Sequence, residues 1–247
     1  MDAIYNGTEL SAAIKRAAAL GCRAAEFWGW PGKDIDGAAA AAKENGVEIA
    51  AFCTGNSDLT DPVKRSEYLA GLRETVSVAR KLDCKIIMTQ VGPELPGVSR
   101  AAQADSIVKG LKQCAPVLEG EGLTLAVEPL NTAYDHKGYY LSSSDECAEI
   151  ITAVGSGNVK MLFDIYHQQI TEGDVTNRLL KYLNLIGHIH CAGHPGRHEP
   201  ENGELNYGYI LAAVQKAGYK GFAGFEFFPA GDADAAIRGI LKTYQRA

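Results

Sequence analysis

Leu123-Thr124-Leu125-Ala126-Val127-Glu128-Pro129-Leu130-Asn131 is a short apolar run that closes on a carboxylate, and the form recurs along the chain. Met161-Leu162-Phe163-Asp164-Ile165-Tyr166-His167 carries Asp164 at its end, Ile186-Gly187-His188-Ile189-His190 ends on alternating histidines, and the run beginning Phe222-Ala223-Gly224-Phe225 ends on Glu226. Near-continuous apolar runs of this length read as parallel strands buried on both faces. Seven occur, over 24–30, 48–54, 85–92, 123–131, 159–167, 185–192 and 222–229. Helical stripes separate them. Leu10, Ala13, Ile14 and Ala17 share one face, as do Ile107, Leu111, Cys114, Ala115 and Leu118, and later Ile237, Ile240, Leu241 and Tyr244. Thr8 and the stretch 142–145 supply capping residues, and Gly21, Gly46 and Gly218 stand where helices stop.

Repeated strand–helix units without a long polar linker predict one α/β domain over 1–247. A doubly wound open sheet usually opens with a Gly-rich phosphate loop. Neither G-x-G-x-x-G nor G-x-x-x-x-G-K-[ST] occurs, so no nucleotide cofactor is expected. A (β/α)8 TIM-type barrel is the better fit, and 247 residues match its usual length. Its first strand is short or missing. Only 1–5 precede the first helix, either as a stub of that strand or because the natural N-terminus began earlier.

Composition narrows the function. At 46% hydrophobic and 22% charged the chain reads as an ordinary soluble protein, expected in the cytoplasm. Its net charge of −6 weighs against nucleic-acid or anionic-membrane partners, which need a basic face. No apolar run approaches the ~20 residues of a membrane span. The six cysteines make no C-x-x-C pair and read as reduced, buried thiols.

Active-site groups of a parallel α/β barrel sit at the C-terminal ends of its strands. Glu128, Asp164, His190 and Glu226 therefore fall at equivalent places on four consecutive strands. As isolated polar groups they would leave several carboxylates buried without a counter-charge, at several kcal/mol each. One divalent metal ion removes that cost. Three carboxylates and an imidazole suit Mn²⁺ or Mg²⁺, with Co²⁺ also compatible.

Further motifs surround these ligands: Glu128-Pro129-Leu130-Asn131, Phe163-Asp164-Ile165-Tyr166-His167, His188-Ile189-His190 with Pro195-Gly196-Arg197-His198-Glu199-Pro200, and Gly203-Glu204-Leu205-Asn206-Tyr207. With Glu226 and Pro229 they resemble the xylose-isomerase-like barrel superfamily and, within it, the hydroxypyruvate isomerase family, over nearly the whole chain. The resemblance implies metal binding by Glu128, Asp164, His190 and Glu226, and a catalytic pair of Glu128 and Glu226. It departs at His190, where some members carry Gln and the ketose 3-epimerase branch carries His.

Isomerisation and epimerisation share the removal of a proton beside a carbonyl. The expected function is a sugar or hydroxy-carbonyl isomerase that passes a proton through an enediolate between two glutamates. A ketose 3-epimerase on a longer sugar and a lyase subunit cleaving carbon–glycosides are the alternatives. An endonuclease or an inactive binding barrel fits less well, and a homo-oligomer is compatible. His167, Arg197, His188 and Trp28 are the candidate substrate contacts, His188 alternatively supporting a ligand. Arg197 offers a fork of donors for a carboxylate or hydroxyls. Glu199 and Glu204 are placed either to orient His188 or Arg197 or to stand on the surface.

Overall fold

The structure, a computed structural model, describes residues 1–244. Seven strands form one parallel sheet in chain order. They are β1 (Ala24–Phe27), β2 (Glu48–Cys53), β3 (Ile86–Thr89), β4 (Thr124–Val127), β5 (Val159–Asp164), β6 (Ile186–Cys191) and β7 (Ala223–Phe225). Nine α-helices among the described residues surround them: α1 (Leu10–Ala19), α2 (Ile35–Asn45), α3 (Arg65–Leu82), α4 (Arg100–Glu121), α5 (Ser144–Val154), α6 (Ile165–Thr171), α7 (Val175–Tyr182), α8 (Tyr207–Lys216) and α9 (Ala233–Tyr244). The result is a nearly closed TIM barrel.

The alternation of strand side chains divides two cores. Phe27, Phe52, Ile87, Leu125, Val127, Phe163 and Ile189 point outward under the helices, where Phe27 and Phe52 stack with centroids 5.3 Å apart. Ala51, Met88, Ala126 and Leu162 point inward and pack as a small plug. One step of two residues beyond Ala126 and Leu162 brings Glu128 and Asp164 to the same inner face. The register carries the step across the sheet, since Asp164 pairs with His190 and His190 with Gly224, two residues before Glu226. Leu125 is fully buried between β4 and the helices. Leu125→Ala is expected to cost about 2–5 kcal/mol in urea unfolding through the cavity it leaves.

Three expectations meet different outcomes. First, residues 1–5 form turns, so the first strand, expected to be short or missing, is missing among the described residues. They lie at the seam where β1 pairs only with β2 and β7 only with β6. The Asp2 carboxylate accepts from the Trp28 backbone N–H at 2.8 Å and pairs with Lys33 at 2.9 Å, and the Tyr5 hydroxyl donates to Asp234. An apolar cavity of about 230 Å³ runs along the seam, lined by Ile4, Ala24, Phe222, Phe225 and Ile240 among others. Second, α1 is capped by Glu9 rather than Thr8, its carboxylate accepting from Ala12 N–H at 3.2 Å. Third, the strand expected over 159–167 stops at Asp164 because that carboxylate caps α6, accepting from the Tyr166 and His167 backbone N–H groups. All six cysteines are free thiols; Cys84, Cys114, Cys147 and Cys191 are buried as expected, whereas Cys22 and Cys53 are only partly so.

Candidate active site

The four sequence-predicted ligands converge. One ligand atom each from Glu128, Asp164, His190 and Glu226 lies within 4.8 Å of the other three. Glu128, Asp164 and His190 are buried, and Glu226 is partly so. The Nδ1 atom of His190 stands 3.5 Å from Glu226 Oε2 and 3.9 Å from Glu128 Oε1. Glu128 Oε2 accepts from the Gln90 amide at 2.8 Å, whereas Glu128 Oε1 and His190 Nδ1 are buried with no hydrogen-bond partner. Buried polar atoms left unpaired are uncommon and expensive. Two of them aimed at one point, among oxygen donors, fit a hard or borderline divalent cation.

The electrostatics pull the two glutamates apart. Burial, reinforced by the charges of Glu226 and Asp164, pushes the Glu128 carboxyl up to about 7 against the opposing pull of His190. Burial also acts upward on Glu226, but His190 and Arg197 outweigh it and hold that carboxyl near 2. Burial lowers His190, yet Glu26 and Glu226 overcome it and raise the imidazole well above its ordinary value. Asp164 is raised by burial against the charge of Arg197.

The loop 193–200 after β6 delivers Arg197 into the carboxylates, with its own backbone at φ 56°. The guanidinium contacts Asp164 Oδ2 at 3.0 Å, Glu226 Oε2, and His167 Nε2 at 3.2 Å. The other ring nitrogen of His167 lies 2.7 Å from the Asn131 amide, so the ring is clamped between β4 and the loop. Burial and the charge of Arg197 keep His167 well below its ordinary value, hence neutral. The Trp28 indole N–H donates to Glu226 Oε1. Trp28 and Arg197, with Tyr134, His136, His194 and Phe228, line an open cavity of about 810 Å³ that adjoins the ligands.

His188 is placed differently. It is fully buried one step below His190, its Nε2 atom 2.8 Å from Glu26 Oε2. Of its two expected roles, the geometry favours support of a ligand over contact with substrate. Glu199 and Glu204 orient neither His188 nor Arg197: Glu199 accepts from Ala230 N–H, and Glu204 accepts from Gln169 and lies 3.7 Å from His194. Sequence reasoning missed Glu26, whose signal was a charge inside an apolar strand in phase with Trp28. It also missed His136, which packs edge-on against His167 with centroids 5.2 Å apart, and His194 in the cavity wall.

Residues 14–244 match the family model described as a xylose isomerase-like TIM barrel. Over 177 residues the chain is 33% identical to the hydroxypyruvate isomerase of Escherichia coli K12, covering 72% of this chain and 68% of that protein. Over 145 residues it is 41% identical to the 2-oxo-tetronate isomerase of Cupriavidus necator, covering 59% and 55% respectively. Among solved structures it is similar to one described as an AP endonuclease, family 2, from Brucella melitensis, with a TM-score of 0.91 and 26% identity over 97% of this chain and 95% of that one.

Proposed function

This chain belongs to the xylose isomerase-like TIM barrel family, and on that premise we propose that it is a divalent-metal-dependent isomerase of small hydroxy-carbonyl compounds. The observation that carries the reading is the convergence of three carboxylates and one imidazole beside an open cavity, with two buried ligand atoms unpaired. Relatives named for hydroxypyruvate and 2-oxo-tetronate support the same class of reaction. The whole chain, 1–247, acts as one domain, with Mn²⁺ or Mg²⁺ as its metal.

Moving a carbonyl along a carbon chain requires a proton to leave one carbon and another to arrive at its neighbour. Glu128, Asp164, His190 and Glu226 would hold a divalent cation, which would supply Lewis-acid stabilisation of the negative charge that develops on substrate oxygens. Glu128 and Glu226 reach the site from β4 and β7 and exchange protons with the two carbons. Their opposed environments support a division of labour, because acid–base pairs are recognised by proton affinities driven apart. Glu128, raised to about 7, takes the proton from the first carbon and passes it to the carbonyl oxygen that becomes a hydroxyl, while Glu226, kept ionised at rest by His190 and Arg197, takes the proton of the hydroxyl that becomes the carbonyl and delivers it to the second carbon. Neutral His167 and the Arg197 fork bind substrate oxygens, and Arg197 suits a substrate carboxylate. Trp28 orients Glu226 through its indole N–H and, with Phe228, screens the site from water.

The test is solvent exchange. Mn²⁺-loaded protein incubated in D₂O with hydroxypyruvate, 2-oxo-tetronate or short ketoses is followed by NMR. Deuterium is expected at the carbon next to the carbonyl, together with the isomeric product. Exchange with inversion at that carbon alone would move the assignment to an epimerase. No exchange into any of these compounds would sink the isomerase reading.

A further inference from the structure

Behind the four ligands lies a second, smaller constellation. Glu26 projects from β1 into the barrel and reaches β6 across the seam, where Oε2 contacts His188 Nε2 at 2.8 Å. Its other oxygen, Oε1, stands 3.4 Å from His190 Nε2. Both of these atoms, Glu26 Oε1 and His190 Nε2, are buried with no hydrogen-bond partner, each facing the other. The strand that would obstruct this reach carries Gly224, and a Cβ built there would overlap both carboxylate oxygens of Glu26. Side-chain length, the missing Cβ and the His188 contact therefore all place one carboxylate at the rear nitrogen of a ligand imidazole.

We propose that Glu26 is a positioning residue of the metal centre, accepting the Nε2–H of His190 so that the Nδ1 lone pair faces Glu128, Glu226 and a divalent cation. The inference rests on the metal-dependent reading above. A neutral imidazole carries one N–H, and a carboxylate can only accept, so Glu26 selects the tautomer with the proton on Nε2. His188 anchors the other oxygen and sets the angle of approach. Carboxylates behind ligand histidines fix ring orientation and raise ligand basicity, and losing one typically costs ~10–100-fold in metal affinity. Glu26 touches no reacting atom in this arrangement; it acts through His190.

The experiment measures Mn²⁺ affinity by chelator competition, and the His190 tautomer by long-range ¹H–¹⁵N correlation on Zn²⁺-loaded protein. Wild type is expected to bind Mn²⁺ and to show Nε2 protonated and Nδ1 bound to metal. Glu26→Gln is expected to bind Mn²⁺ about 10–100-fold more weakly, with altered His190 nitrogen shifts and an unchanged far-UV circular dichroism spectrum. Wild-type binding with Glu26→Gln affinity and nitrogen shifts both unaltered would overturn the positioning role and leave the isomerase reading standing. A wild type without Mn²⁺ affinity would overturn both. If Glu26→Gln does not fold, Gly224→Ala decides, since its methyl displaces the same carboxylate without changing charge. Weakened Mn²⁺ binding there supports the inference, and wild-type binding refutes it.

Discussion

Glu128→Gln is expected to lower turnover by on the order of 10²–10⁴-fold, the usual contribution of a positioned acid–base group. The amide keeps the shape of the side chain and an oxygen for the metal, but it cannot take a proton. The same change should not weaken the metal-free fold. Burial already makes the Glu128 carboxylate costly, raising its pKa to about 7, and a neutral amide removes that cost. Activity and Tm are therefore expected to part: a dead enzyme that melts at or above the wild-type temperature. Measuring kcat and thermal unfolding on one preparation checks this. Normal turnover by the variant would end the two-glutamate mechanism, and a collapsed Tm would mean that Glu128 serves the fold.

The second large effect comes from metal loading. At a free Mn²⁺ concentration a hundredfold above its Kd, the folded state gains about 2.7 kcal/mol. For a chain of this size that is roughly 5–10 °C in Tm, at about 2–4 °C per kcal/mol, and EDTA should reverse it along with activity. The gain should grow with pH. Glu128 is protonated below about 7 and must lose that proton to ligate, so falling pH sets protons against metal. His190, raised well above its ordinary value by Glu26 and Glu226, competes in the same direction. Without metal the sign is opposite. The folded state holds a proton on Glu128 that the unfolded chain releases near 4.5, so metal-free stability declines as pH rises from there towards 7. Calorimetric melts at pH 5.5 and 8, with and without Mn²⁺, separate the two trends. A Tm shift independent of pH would place the metal away from Glu128.

The candidate ligand set was legible because its members interrupt apolar runs at positions where a barrel exposes its strand ends. Glu128 before Pro129, and Asp164 after Leu162-Phe163, are conspicuous for that reason alone. Asp164 also shows where such reading stops. Val159 to His167 reads as one mostly apolar run broken by Lys160 and Asp164, yet the chain turns into α6 at Asp164, because one carboxylate oxygen caps the helix while the other faces Arg197. Periodicity over so short a run does not distinguish a buried strand from a buried helix. Glu26 escaped for a different reason. Its partners, His188 and His190, are more than 160 residues away, and only closure of the sheet brings them within reach. Arg197 was legible as a loop cation but not as a partner of Asp164, since a turn with positive φ sets its aim. Residues 1–5 were recognisable as too short to complete a strand, but their turns across the seam depend on Lys33, Trp28 and Asp234.

The seam sets an asymmetry in stiffness among the candidate ligands. Glu128, Asp164 and His190 stand on β4, β5 and β6, each gripped by a hydrogen-bonded strand on both sides. Glu226 follows β7, whose outer margin has no paired neighbour among the described residues. Three ligands thus form a rigid tripod, while the fourth rides on a compliant edge restrained by the side chains of Trp28 and Arg197. Compliance thus falls on one of the two glutamates proposed to exchange protons with substrate carbon, and stiffness on the other, Glu128, together with Asp164 and His190, the proposed anchors of the metal.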